Sequence, residues 1–217
     1  MMELRILSVN VGRPKIIGLL NGEPVVSGIA KRPLGSQSVF VRSMNIDGDG
    51  QADLTVHGGF DKAVYAYSAN NWPWWEREHH LPCAPGTFGE NLTLEGVDDT
   101  QVAIGDVFAW GDAELEVAQP RAPCFKFNIH TQRPDAAQHM TLAGRCGFYL
   151  RVLREGRAPV EGALFTRLST RDGPSVRDTF FAALKPGFRR ERLVEIAQAP
   201  GLAESWRGAL ARRLNRA

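Results

Sequence analysis

The chain has 217 residues, of which 43% are hydrophobic and 23% are charged, with a formal net charge of +2. These values are typical of a globular protein, and no apolar run reaches the length of a transmembrane helix, so we expect neither disorder nor a membrane partner. The small net charge gives no reason to expect nucleic-acid binding. Three irregularly spaced cysteines argue against a disulfide framework, and the N-terminus lacks signal-peptide features, so we expect a cytoplasmic protein.

Short alternating or β-branched segments, bounded by glycine and proline, recur through the first two-thirds of the chain and predict strands. They span residues 4–11, 24–32, 39–42, 63–67, 91–94, 107–110, 114–119, 148–153 and 160–167. The clearest hairpin turns at Gly111 and Asp112. Helical patterns at 70–80, after Cys124 and around 134–142 indicate helices that close the ends of a barrel or sandwich.

The pattern changes to a helical period after roughly residue 170. Ser175 and Asp178 form a capping box at the start of one helix, and a second helix is predicted at 189–197. A third helix carries apolar residues four apart: Leu202, Trp206, Leu210 and Leu214. Three short helices bury little surface alone, so we expect a domain at 1–170 and a three-helix domain at 171–217 that docks on it.

The first of four glycine-rich polar stretches runs over residues 48–53 and continues at 57–63, where His57, Asp61 and Lys62 fall within one turn. Glycines let the backbone approach a ligand closely, so these three side chains are candidate active groups. A glycine turn with solvated charges is the alternative. A second stretch, at 85–93, is followed by a strand in which Asn91 and its neighbour two residues on share a face that lines either a cavity or solvent.

Cys124 lies in the third stretch, which is unusually stiff for a loop because Pro120 and Pro123 fix the backbone around it. Arg121 and Lys126 place positive charge on both sides, which favours the thiolate, the form of cysteine that attacks electrophiles and binds metals. An inert buried cysteine is the alternative that spacing alone leaves open. The other two cysteines lack this bracketing and are predicted to be structural: Cys83 and Cys146. The second of these lies in the fourth stretch, at 144–152, which is predicted to be a barrel strand.

Four motifs, taken together and in order, resemble the MOSC family, which is named for the C-terminal domain of molybdenum cofactor sulfurase. They are GDGQAD, HGGFDKAVY, FGENLT and QPRAPC. The resemblance covers nearly the whole chain and is greatest to the small bacterial YiiM-like branch, which has three C-terminal helices. It implies an α+β, mainly β fold: a MOSC-type β-barrel with peripheral helices and a small C-terminal three-helix module.

The resemblance also implies a molybdenum cofactor (molybdopterin), with Cys124 as the protein ligand to the metal. Cys146 stands where relatives more often carry threonine or serine, and Cys124 remains the favoured ligand. Molybdenum accepts a soft thiolate, and the anionic phosphate of the cofactor needs fixed positive charge and backbone donors. The candidate cofactor-binding residues are Lys31, Arg32, His57, Gly58, Gly59, Lys62, Asn91 and Arg121. The candidate catalytic residues are Cys124, with His57 or Asp61 as a proton relay.

The activity that the resemblance implies is the reductive removal of oxygen from N-hydroxylated compounds such as hydroxylamino-purines and amidoximes. No flavin, haem or iron–sulfur motif is present in the sequence, so a separate reductase is expected to supply electrons. A second copy of the chain is a further candidate partner, because the sequence does not fix the oligomeric state. The alternative function is a non-catalytic carrier in which Cys124 holds the molybdenum cofactor or sulfur for delivery.

Overall fold

A computed structural model of the protein describes residues 2–52, 58–160 and 162–215. Its strands are β1 (Glu3–Val11), β2 (Lys15–Leu20), β3 (Glu23–Ser27), β4 (Arg32–Pro33), β5 (Ser38–Val41), β6 (Val64–Ser68), β7 (Leu92–Glu95), β8 (Val107–Trp110), β9 (Ala113–Pro120), β10 (Phe148–Arg154), β11 (Gly156–Pro159) and β12 (Leu164–Ser169). Its α-helices are α1 (Trp72–His79), α2 (Phe125–Thr131), α3 (Ala136–Ala143), α4 (Val176–Leu184), α5 (Arg190–Ala197) and α6 (Glu204–Leu214). Short 3-10 helices lie at Phe60–Lys62 and Ala69–Asn71.

Seven strands close into a barrel in the order β1, β12, β8, β9, β10, β6 and β7, with β7 pairing back to β1. The pair β6–β7 is parallel, and the other pairs of the barrel are antiparallel. The predicted hairpin at Gly111 and Asp112 is confirmed, since Trp110 pairs with Ala113 across it. The predicted α+β, mainly β fold with a β-barrel and peripheral helices is confirmed.

The barrel interior follows from the alternation of side chains along its strands. In β1, Leu4 and Ile6 are buried between exposed neighbours, as a strand with one buried face requires. A bulge in the pairing with β7 lies between Ile6 and Ser8, and Ser8, Val9 and Asn10 are all buried, so that both faces of β1 are covered there. Phe108 and Phe165 stack inside the barrel with ring centroids 4.4 Å apart. Each such ring stabilises the fold by about 1.5–3 kcal/mol through burial.

Helices α1 and α2 cover one side of the barrel through aromatic contacts. Trp75 is buried, and its indole N–H donates to the hydroxyl of Tyr67 at 2.6 Å. Phe88 stacks on Tyr67 at 4.0 Å, and Phe127 of α2 packs against both Trp75 and Phe88. This cluster fixes the start of α2, the helix that directly follows Cys124.

The C-terminal helices contact β9 through α4 and the N-terminal end of α6. Ala203 donates its N–H to Ala118 O at 2.9 Å, and Ser205 Oγ donates to Gln119 Oε1 at 3.0 Å. The predicted capping residue Ser175 accepts the Asp178 N–H at 3.0 Å at the start of α4. The division into domains at 170/171 stays a prediction. In the described part of the chain, no helix combines the length and the apolar character needed to cross a bilayer.

Candidate functional site

A cleft beside the barrel, here called the main cleft, contains about 680 Å³ of open space that continues into solvent. It lies where residues 27–31, the turn at 49–52 and the loop at 121–126 meet strands β6 and β10. The side chains that define its chemistry are Lys31, Asp49, Lys62, Arg121, Cys124 and Tyr149. Among its described residues, the site therefore combines a thiol, several cations and one carboxylate.

Cys124 is held at the N-terminal boundary of α2 in an extended backbone conformation, and its carbonyl accepts the Phe127 N–H at 2.9 Å. The side chain is half-buried and faces the cleft. Cys146 is fully buried, which raises the pKa of its thiol well above the usual value, and burial raises the pKa of the Cys83 thiol to about 12. Among the described residues that line the main cleft, Cys124 is the only cysteine.

Arg121 is only 6% exposed, although it carries a full positive charge. Its guanidinium lies over the rings of Tyr65 and Phe127, at 5.2 and 5.1 Å, and donates to the sulfur of Met140 at 3.2 Å. No carboxylate of the described residues lies within 4.0 Å of it. A buried cation without a counter-charge is costly, so the site favours an anionic ligand.

Lys31 lies in the cleft, but its charge is already compensated. Its Nζ lies 2.5 Å from Asp49 Oδ1, and the two side chains are 8% and 2% exposed. Burial lowers the pKa of Lys31, and the negative charge of Asp49 offsets part of that effect. Asp49 also accepts the Gly12 N–H at 2.8 Å and the Asn91 amide at 2.9 Å. This pair therefore contributes little net charge to the cleft.

Asn91 is buried and lines the cleft, with its polar atoms engaged by the protein. Its Oδ1 accepts the Tyr65 N–H at 3.0 Å, and its Nδ2 donates to Asn10 O at 3.2 Å as well as to Asp49. The side chain thus joins β1, β6 and the glycine turn of Asp49. Its geometry is that of a residue that shapes the cleft.

Glu90 is a fully buried acid behind the cleft. Its carboxylate accepts the Gly86 and Phe88 N–H groups at 2.8 and 3.0 Å and the Thr93 hydroxyl at 2.8 Å. Burial raises the pKa of Glu90 to about 7, against the effect of these hydrogen bonds. Gly86 has φ of +87°, and a Cβ there would lie 2.7 Å from Lys31 O. Glu90 therefore fixes the loop at residues 86–88, and Gly86 of this loop lies close to the backbone of Lys31.

The remaining predicted site residues divide between the cleft and its surroundings. Lys62 lines the cleft together with Lys126, and burial lowers the pKa of Lys62. Arg32 is exposed in β4 and lines a separate hollow.

The glycine-rich segment before Lys62 is only partly described. Gly58 and Gly59 precede the short 3-10 helix and are not among the described residues that line the cleft. Asp61 Oδ1 accepts Arg151 Nε at 2.9 Å and does not line the cleft either. His57 lies outside the described residues, so its predicted role stays a prediction.

Sequence reasoning missed three groups at this site: Asp49, Glu90 and Tyr149. Asp49 stands between two glycines and Glu90 lies within the FGENLT motif, so the sequence does mark both positions. It does not indicate which residues they contact. Tyr149 lies in the stretch that the sequence predicts only as a barrel strand. Burial raises the pKa of its hydroxyl, and the charge of Arg121 offsets part of that rise.

Among the described residues, no group of three or more histidine, cysteine, aspartate or glutamate side chains could hold a metal ion. A metal bound by Cys124 would therefore take further ligands from an organic cofactor. The space, the soft sulfur and the buried cation of the main cleft fit a cofactor of that kind.

A sequence model described as the MOSC domain matches residues 53–164, and one described as the YiiM-like, 3-alpha helix domain matches residues 174–217. The chain belongs to the MOSC family. The family resemblance of its motifs is thereby confirmed, including the YiiM-like helical segment at the C-terminus.

Several known proteins are similar to this chain over almost its whole length. "Uncharacterized protein YflK" of Bacillus subtilis is 37% identical over 97% of this chain and 95% of its own length. "Protein YiiM" of Escherichia coli is 34% identical over 94% of this chain and 91% of its own length. The crystal structure of YiiM from Geobacillus stearothermophilus superposes with a TM-score of 0.81 and 32% identity, covering 97% of this chain and 99% of that one.

One relative is much longer than this chain. A protein of Gibberella moniliformis named "Reductase" is 38% identical over 70% of this chain, and the match covers 27% of the fungal protein. A segment similar to most of this chain is thus also found within a much longer protein that carries a reductase name.

Proposed function

We propose that the protein is a molybdenum-cofactor-dependent oxidoreductase that removes oxygen from N-hydroxylated compounds, with Cys124 as the protein ligand to molybdenum. The observation that carries this proposal is that Cys124 and Arg121 line the same cleft. A soft sulfur suits molybdenum, and a buried guanidinium without a carboxylate partner among the described residues suits an anionic cofactor.

The MOSC family supports the choice of cofactor, because MOSC domains are associated with the molybdenum cofactor. In the cleft, Arg121 would hold its phosphate, together with Lys62 and Lys126 on the facing walls. Asn91 and Asp49 would keep the walls in position through their shared hydrogen bonds. The name of the Gibberella moniliformis relative supports a reductase activity.

The cofactor, when bound, supplies the two-electron redox chemistry. For a hydroxylamine the balanced reaction is R–NHOH + 2e⁻ + 2H⁺ → R–NH₂ + H₂O. The protein contributes orientation and positive charge. Tyr149 keeps its hydroxyl proton at neutral pH, because burial raises its pKa, and so presents a hydrogen-bond donor to the cleft.

Protons must reach the leaving oxygen from groups at the cleft. We propose Lys31 as the immediate source, since it lines the cleft and its lowered pKa makes it a better acid than an exposed lysine. Asp61 binds Arg151 instead of lining the cleft. His57 stays a candidate for the relay, and a separate reductase stays the proposed electron source.

The experiment is a comparison of Cys124→Ser with Cys83→Ser, a control that changes a half-buried thiol outside the cleft. Both proteins are expressed in a host that makes the cofactor. Molybdenum content is then measured, together with the reduction of 6-hydroxylaminopurine by reduced methyl viologen. We expect Cys124→Ser to lose metal and to lose activity by about a hundredfold or more, because changing a residue that only supports a metal ligand already costs about 10–100-fold.

Cys83→Ser should keep both properties. Equal molybdenum in wild type and Cys124→Ser would refute the ligand assignment. Wild-type protein that carries molybdenum but reduces no N-hydroxylated compound would favour the carrier function.

A further inference from the structure

A second depression, here called the basic hollow, is lined by Arg13, Lys15 and Arg32 together with backbone of residues 11–14, Ala30 and Gly48. All three cations are exposed, and no carboxylate of the described residues lies within 4.0 Å of them. On a protein with a net charge of only +2, this is a local concentration of positive charge.

The basic hollow adjoins the main cleft, because residues of the same two segments line both. Lys31 faces the cleft, whereas its neighbours Ala30 and Arg32 line the hollow. Asp49 likewise faces the cleft, and the preceding Gly48 lines the hollow. Adjacent residues of one chain therefore reach opposite sides of a common wall.

The segments that form this wall are in close backbone contact. Gly12 donates its N–H to Asp49 at 2.8 Å, and Gly50 donates its N–H to Gly12 O at 3.0 Å. A Cβ on Gly12 would lie 2.9 Å from Ala30 O, and one on Gly28 would overlap the carbonyl of Gly50. Glycine is needed for this close approach, which keeps the basic hollow near whatever the main cleft holds.

An exposed apolar surface continues from the basic hollow. Lys15 is the first residue of β2, and the hairpin β2–β3 carries Ile16, Leu19 and Val26 at 63%, 65% and 46% exposure. Solitary exposed apolar residues are common, but a cluster on one hairpin beside unpaired cations is typical of a protein interface.

The exposure of the three cations argues for a macromolecular partner. A small anion held by exposed lysine and arginine gains little, since ion pairs at exposed positions are worth about 0–1 kcal/mol. Exposed charges instead steer a large, oppositely charged partner and orient it on encounter. The adjoining apolar hairpin then supplies area for a short-lived complex.

We infer that the basic hollow and the β2–β3 hairpin form the docking surface for an electron-donor protein with an acidic face. This rests on the proposed function, because it names the surface through which the electrons of that reaction arrive. The donor binds on the side of these glycine contacts that carries the basic hollow, and it supplies two single electrons for each N-hydroxylated molecule reduced.

The test uses reduced flavodoxin, an acidic flavin protein, as the probe donor. Arg13→Glu/Lys15→Glu is compared with Arg189→Glu/Arg212→Glu, a control that makes the same charge change at exposed positions of the C-terminal helices. Reduction of 6-hydroxylaminopurine is measured with flavodoxin and, separately, with reduced methyl viologen. Binding of flavodoxin is also measured directly by calorimetry.

We expect Arg13→Glu/Lys15→Glu to raise the KM for flavodoxin and weaken its binding by about tenfold, with the viologen rate within about twofold of wild type. The control variant should stay near wild type with both donors. The tenfold effect should shrink between about 20 mM and about 300 mM salt, as charge steering does.

Equal flavodoxin binding by wild type and Arg13→Glu/Lys15→Glu would overturn the inference. So would saturable binding of tripolyphosphate or of an oligonucleotide that this variant abolishes while flavodoxin binding is unchanged. Failure of the proposed function is distinguishable, because wild-type protein would then be inactive with viologen, whereas the calorimetric comparison still decides the docking surface.

Discussion

Glu90 illustrates how a residue outside the cleft determines the conditions under which the cleft is stable. Its carboxylate collects three donors from residues 86–93, yet burial raises its pKa from 4.5 to about 7. Between these values the folded protein holds a proton that the unfolded chain releases. Rising pH therefore favours the unfolded chain, and stability present below pH 4.5 is lost as the pH approaches 7.

We predict that Glu90→Gln flattens this pH dependence. The free energy of unfolding, from urea titrations at pH 5 and pH 7.5, should fall with pH by about 2–3 kcal/mol more in wild type than in Glu90→Gln. A constant offset between the two proteins, from the altered hydrogen bonds of the amide, does not affect this difference. Parallel pH profiles would contradict the prediction.

The candidate site could be predicted in part, and the part that was missed has a common cause. Cys124 stands out because prolines and cations adjoin it along the chain. The pairing of Lys31 with Asp49 joins residues 18 apart, and that of Asn91 with Asp49 joins residues 42 apart. Such pairings depend on how loops pack, which local sequence does not encode.

At the scale of elements, Arg151 of β10 joins three parts of the molecule. Its Nε donates to Asp61, beside the cleft residue Lys62, and its Nη1 donates to Glu116 of β9, both at 2.9 Å. Its Nη2 donates to Gly201 O, in the loop between α5 and α6, at 2.8 Å. One guanidinium therefore ties the helical module and a wall of the main cleft to the barrel.

We predict that Arg151→Met lowers the free energy of unfolding by about 1–3 kcal/mol, because it leaves the largely buried Glu116 without this partner. The matched control is Arg154→Met, on the same strand, whose pair with Glu114 is largely exposed and should cost no more than about 0.5 kcal/mol. Chemical denaturation measures both. Equal losses in the two variants would show that Arg151 is an ordinary surface residue.

The elements themselves were predicted best where burial alternates strongly. Strands at 4–11 and 107–119 were located nearly to their ends. Strand β2 was missed, because its apolar residues are exposed and a glycine interrupts them. The sequence predicts one strand at 24–32. In the structure β3 ends at Ser27 and β4 begins at Arg32, and Gly28, which follows β3, is in close backbone contact with Gly50. The parallel pairing of β6 with β7 has no local signal.

At the scale of the whole molecule, the barrel and the C-terminal helices share one hydrophobic core. Phe180, Leu193 and Trp206 belong to the same cluster of buried residues as the barrel interior, and Trp206 packs against Phe180 with ring centroids 6.0 Å apart. The backbone bond from Ala203 to Ala118 crosses the same boundary. Two segments that share a core unfold together when neither is stable alone.

We therefore predict that Trp206→Ala destabilises the barrel as well as the helices, by about 3–5 kcal/mol in each. Hydrogen exchange measured by mass spectrometry separates the two, since peptides from β8 and β9 report on the barrel and peptides from α5 report on the module. Their opening free energies should fall by the same amount. Leu184→Ala, at a half-exposed position of α4, serves as the control and should change both by less than about 1 kcal/mol. A loss confined to α5 would mean that the barrel is stable without the module, and that the domain boundary predicted near residue 170 is also a boundary of folding.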